Sequence, residues 1–231
     1  MRHFHGNLLP VFGLCLTVGT LVGCVNGPFY RMWYGKDWAA DEKYGPTFYT
    51  KLEEMKKLRS GIKSLDAEEQ TRVAQQLTQT LSQDPCPPYR SEIVKTLALC
   101  PAPAATEGLR LAIQDKDASV RTVACRAWGQ REEQEALQVL AQAATADPDH
   151  DVRMTAVREL GKFKDQQAVR ALGQALEEND PALQHLAVES LRSVTGKDFG
   201  DSVPAWRQFV RGEQVKPGEP PSLAEKLRRL F

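Results

Sequence analysis

Three stretches decide how this chain folds: "DASVRTVACRAWG" at 117–129, "DHDVRMTAVRELG" at 149–161 and "DPALQHLAVESLR" at 180–192. Laid over one another they align Arg121, Arg153 and Gln184, spaced 32 and 31 residues apart, and a further step of 31 back from Arg121 reaches Arg90 in "YRSEIVKTLAL". In every copy apolar residues stand one before this reference position and three, four and seven after it. They are Tyr89, Ile93, Val94 and Leu97; Val120, Ala124, Cys125 and Trp128; Val152, Ala156, Val157 and Leu160; and Leu183, Ala187, Val188 and Leu191. Intervals of four, one and three place each set on one side of a helix with 3.6 residues per turn. A second helix follows in phase, marked by Leu109 and Ile113, then Leu137, Leu140 and Ala144, then Val169, Leu172 and Leu176.

The residues between these stripes act as punctuation. Asp117, Asp149 and Asp180 precede the first helices, where a carboxylate accepts hydrogen bonds from unpaired amides and meets the positive end of the dipole. Gly129 and Gly161 fall where those helices should stop, and are expected to supply a left-handed turn. Helix, turn, helix, turn at a period near 31 predicts an all-α fold, an α-solenoid of about four to five helix pairs with atypical terminal caps. The pattern D-x-x-V-R-x-x-A-(x)n-L-G resembles the HEAT-like repeats first associated with phycobilisome lyases, over about 84–212. That resemblance implies a ladder of Asp and Arg through the stack, giving structural roles to Asp117, Arg121, Asp149 and Arg153. Cys86 in place of Asp and Gln184 in place of Arg are departures at the two ends, as capping repeats show.

Outside the clear copies, Leu52, Met55, Leu58, Ile62 and Leu65 share a face, and Val73, Leu77 and Leu81 follow behind Asp66, so 47–83 reads as an N-terminal capping helix pair. At the other end Gly196 should close a helix, Asp201 or Ser202 open the next, and Trp206, Phe209 and Val210 seal the core. Residues 213–231 read as a Pro/Gly linker and a short amphipathic helix with Leu223, Leu227, Leu230 and Phe231 on one face. Such a short helix needs a surface to dock on.

The N-terminus carries a different signal. Leu8 to Gly23 is uncharged and follows Arg2, an apolar run shorter than the roughly 20 residues that a membrane span needs. A positive start, an apolar middle and a small residue at the exit read as a secretory signal peptide over 1–23. Leu21-Val22-Gly23-Cys24 resembles the bacterial lipobox, which implies that Cys24 becomes the lipid-bearing first residue. The acyl chains, palmitate-like and three in that family, then anchor the protein to a membrane of the cell envelope, facing the periplasm or exterior. Each buried CH₂ contributes about 0.8 kcal/mol, so several chains hold firmly where one does not. Residues 24–46 form a tether rich in Phe, Tyr and Trp, a composition unlike that of disordered linkers.

Charge and chemistry narrow the function. The chain of 231 residues has 30 basic and 30 acidic side chains; without Arg2 the mature form is one charge negative, with no basic stripe for nucleic acid. His150 and His185 belong to no metal-ligand spacing, and no nucleophile motif is present, so neither metal nor cofactor nor catalysis is expected. Stacked helix pairs offer instead an extended concave face for a protein or peptide partner. Its candidate residues are Glu107 with Leu111, Gln138 with Gln142, and Arg170 with Gln174, each pair four apart on a second helix. The resulting expectation is a membrane-anchored interaction scaffold, with a small-ligand sensor or enzyme accessory factor as the alternative. Bilin-lyase-like activity does not transfer with the repeats alone. Metabolic labelling with a fatty-acid analogue checks the anchor: the wild type should take up label, Cys24→Ser should not, and equal labelling of both removes the lipoprotein assignment.

Overall fold

The computed structural model describes residues 45–131 and 134–215. The signal segment, Cys24, nearly all of the tether and the C-terminal amphipathic helix lie outside the described residues. The chain divides into compact units at 1–51 and 52–231. In the first, Phe48 and Tyr49 meet edge to face at 6.0 Å; the second holds the repeats.

Ten α-helices run along the described residues: α1 Phe48–Gly61, α2 Ala67–Gln83, α3 Pro87–Leu99, α4 Pro103–Ala112, α5 Ala118–Trp128, α6 Gln134–Ala146, α7 His150–Leu160, α8 Gln166–Glu177, α9 Pro181–Thr195 and α10 Val203–Val210. Among those residues there is no extended strand, and the architecture is an all-α solenoid. The first helices α3, α5, α7 and α9 stack in succession, α6 packs on α8, and α8 on α10. The predicted stripes form the core: of the sixteen first-helix positions fifteen are buried, and Tyr89 is half-buried against them.

Asp66, Asp117, Asp149 and Asp180 accept N-terminal amides of α2, α5, α7 and α9, and Ser202 does so for α10. Cys86 caps nothing with its side chain. The Asp84 carboxylate accepts the Cys86 N–H at 2.8 Å instead. Gly196 ends α9 in the left-handed conformation at φ 66°, as its position predicts. Trp206 is fully buried, meets Phe199 and Phe209 edge to face, and donates to the Gly200 carbonyl at 2.9 Å.

Gly129 and Gly161 do not supply left-handed turns. Both sit in the right-handed helical region, at φ −66° and −63°, and the reason for glycine is steric. A Cβ on Gly129 would lie 2.8 Å from the Glu159 Cβ and closer still to its carboxylate; one on Gly161 would lie 2.9 Å from the Ser190 Cβ and 3.1 Å from its Cα. Glu159 and Ser190 occupy the same place, six residues after the reference, in the next repeat. The glycines thus let adjacent first helices approach at their C-terminal ends, and the Ser190 hydroxyl donates across to the Val157 carbonyl at 3.1 Å. Alanine is the better helix former where φ is helical, so Gly161→Ala isolates the steric effect. It should destabilise by about 1–3 kcal/mol, the range for overpacking, in urea unfolding monitored by circular dichroism; a stabilised variant would show that no close approach is needed.

Candidate functional site

The reference residues tie each repeat to itself and to the next. All four donate to the carbonyl six residues earlier: Arg90 to Asp84 at 3.0 Å, Arg121 to Asp115 at 2.9 Å, Arg153 to Asp147 at 2.9 Å and Gln184 to Glu178 at 2.5 Å. This bond closes the turn before each first helix, and glutamine can make it as well as arginine. The second attachment needs a guanidinium. Arg90 grips the Asp115 carboxylate through Nε at 2.8 Å and Nη2 at 2.7 Å, and Arg121 grips Asp147 through the same two atoms, both at 2.8 Å.

The rungs therefore run through Asp115 and Asp147 and not through Asp117 and Asp149. The latter carboxylates are committed to the helix ends they cap, accepting Ser119 N–H at 2.9 Å and Asp151 N–H at 3.0 Å. Two residues earlier the turn presents a carboxylate to the preceding repeat, and that same carboxylate also accepts the Asp117 or Asp149 N–H. Arg121 is a rung. Arg153 keeps its carbonyl bonds and has no carboxylate partner, its Nε being buried and unpaired. A sequence signal for the rungs existed, because Asp84, Asp115 and Asp147 recur at the repeat period.

Arg90 and Asp115 are 3% and 9% exposed, so this pair is shielded from the screening that makes surface pairs weak. Burial pushes the Asp147 carboxyl up, but hydrogen bonds from Arg121 and the Asp149 N–H more than offset it and hold the group below its ordinary value. The Asp115 and Asp147 side-chain hydrogen bonds raise Arg90 and Arg121 against the opposing effect of desolvation.

Beside the ladder lies an open groove of about 540 Å³ between α4 and α6. α4 makes little direct contact with α6 there. Arg121 and Asp147 of the ladder line it together with Ile113, Val139 and Ala143. Across it Arg110 reaches Glu135 through Nε at 2.6 Å and Nη2 at 2.7 Å, and holds Glu107 at 2.9 Å. Of the residues expected to face a partner, Gln142 lines this groove and Glu107 steadies the arginine that spans it. Leu111, 42% exposed, adjoins Arg110. Gln138, Arg170 and Gln174 are exposed on α6 and α8. Pattern reading passed over Arg110 and Glu135, which lie 25 residues apart in sequence.

The shifted carboxylates lean away from proton transfer near neutral pH. Glu135 is held below its ordinary value first by the Arg110 hydrogen bonds, and Asp117 first by Ser119; an acid–base catalyst near neutral pH needs shifts the other way. Burial pushes the Cys125 thiol up to about 12, which disfavours the nucleophilic thiolate. Cys86, Cys100 and Cys125 are all free thiols. Among the described residues no group of three or more His, Cys, Asp or Glu is placed to hold a metal ion, and no helix is long and apolar enough to cross a membrane.

The profile of the HEAT-repeat family matches residues 74–158 and 140–205, over half of the chain. No curated protein matches. Proteins of this family are typically non-catalytic and commonly mediate protein–protein interactions.

The ladder has an acid signature. Because the Asp147 carboxyl is lowered in the folded state, its stabilisation is present above its unfolded value, about pH 4, and is lost as pH falls through the folded value. Asp147→Ala should cost about 3 kcal/mol at pH 7, leaving Arg121 without its counter-ion. Urea unfolding across acid pH should show the variant and wild-type stabilities converging as the medium becomes more acidic; a constant gap would deny Asp147 this part.

Proposed function

The chain belongs to the HEAT-repeat family, and from that premise we propose that it acts as a protein-interaction scaffold and not as an enzyme. One observation carries the reading: the second-helix face opens between α4 and α6 into a groove lined by both apolar and charged residues, and α4 also carries the exposed Leu111. A groove of mixed apolar and charged lining fits a peptide segment or helix that lays an apolar edge inward and satisfies polar groups at the rim. The Arg110–Glu135 pair is solvent-exposed, so a partner can compete for its hydrogen bonds at small cost. On this proposal Glu107, Gln138, Gln142, Arg170 and Gln174 extend the same surface along successive second helices, the concave face.

We further propose that the scaffold works at a cell-envelope membrane, tethered through lipidated Cys24 and facing the periplasm or exterior. The apolar run followed by Leu21-Val22-Gly23-Cys24 supports this reading. The alternative of a small-ligand sensor or enzyme accessory factor draws on the groove volume, which lies within the range of about 300–1,000 Å³ seen for ligand pockets.

Site-specific photo-crosslinking in detergent-solubilised envelope separates these readings. A crosslinker at Gln138 or Gln142 should trap one stoichiometric protein, and Leu111→Asp should reduce the yield at least about tenfold, the effect of 1.4 kcal/mol. Crosslinkers at Arg126 and Arg158, exposed on the first helices, should trap little. A co-purifying chromophore or metabolite with no crosslinked protein would overturn the scaffold in favour of the alternative.

A further inference from the structure

The ladder stops one repeat early. Arg153 stands in register with Arg90 and Arg121 and is fixed as they are, its Nη1 donating to the Asp147 carbonyl at 2.9 Å and the Pro148 carbonyl at 3.2 Å. In the two earlier rungs Nε donates to a carboxylate at 2.8 Å; in Arg153 it is buried with no partner. Residue 178 holds the place of Asp115 and Asp147, six before the next reference residue, and there the chain has glutamate. Glu178 is exposed, and its carbonyl is taken by Gln184. Asp180 is engaged as well, capping α9 through the Ala182 N–H and meeting His150 Nδ1 at 3.0 Å.

A buried donor without a partner has lost its water and gained nothing, and folded proteins rarely tolerate one. A guanidinium already oriented by carbonyl bonds through Nη1 leaves the fork of Nε and Nη2, the geometry that matches a carboxylate with two parallel hydrogen bonds. Arg153, like Arg121, is partly exposed while its Nε is closed to solvent, so an anion from outside reaches the fork by displacing the side chains that cover it. We propose that Arg153 is a receptor for a carboxylate: an aspartate or glutamate side chain of a bound partner completes the third rung from outside. The proposal rests on the scaffold reading for its partner, and adds the chemical group by which that partner is held.

The arginine Nε–H resonances of the intact, nitrogen-15-labelled protein provide the test, with acetate as probe and chloride at equal ionic strength as control. Signals are assigned by Arg90→Lys, Arg121→Lys and Arg153→Lys. The Arg153 signal is expected to move with acetate and not with chloride, while those of Arg90 and Arg121 stay still. Glu178→Asp, which sets a shorter acid in register with Asp115 and Asp147, should raise Tm by about 2–4 °C and abolish the acetate response. An Arg153 signal unmoved by acetate overturns the proposal. So does a signal that begins to respond only in Glu178→Gln, because Glu178 would then be the rung. Acetate needs no partner protein, so this failure is distinct from a failure of the crosslinking experiment.

Discussion

The apolar stripe of each helix pair lacks a sufficient partner inside that pair. α5 touches α6 less than it touches α7, and α7 touches α8 less than α6 does. Burial that belongs to the interface between repeats makes the interface the unit of stability. Each fully buried Leu or Ile contributes about 1.5–3 kcal/mol relative to exposure, and Leu140, Leu160 and Leu172, with Trp128 and Trp206, are among the largest side chains that are fully buried. The same constraint requires caps: Trp206, Phe199 and Phe209 close the last face found among the described residues.

Stacking of this kind forces polar backbone into the seams, and the reference side chain resolves it with two separable attachments. One closes the turn within a repeat; the other grips the next repeat. Gln184 retains the first and cannot make the second; among the described residues α10 follows α9, with no further copy of the first helix to be gripped. The turn after α8 ends differently, with Arg207 donating to the Leu176 carbonyl at 3.1 Å and bridging to Glu177. Arginine thus serves at the end of the array too, from the opposite direction.

Much of this was legible in sequence because helical periodicity and capping are local. The core stripes, the Asp caps, the end of α9 at Gly196 and the start of α10 at Ser202 all depend on residues within one turn of each other. What was misread depends on residues about 25–30 positions away. Glycine at a helix end predicts a left-handed turn when nothing else is known; that Glu159 and Ser190 fill the space beside Gly129 and Gly161 emerges from the stack. Asp117 and Asp149 drew the eye because they begin the helices, yet a carboxylate spent on a helix end has no geometry left for a guanidinium one repeat back. Asp115 and Asp147 recur visibly, and their part becomes clear once the turn is built.

The groove between α4 and α6 has the same origin. α4 and α6 make little direct contact at that point, which leaves Ile113 and Val139 half-buried beside polar groups that are already satisfied. On the proposed reading, specificity draws on such a local difference along the second helices, because specificity is a difference between binding free energies. Arg110 joins Glu107 on its own helix and Glu135 across the gap, and Arg121 and Asp147 line the same groove. The rung that joins the repeats is thereby also part of the groove lining, so a substitution there would alter the stacking and the groove together.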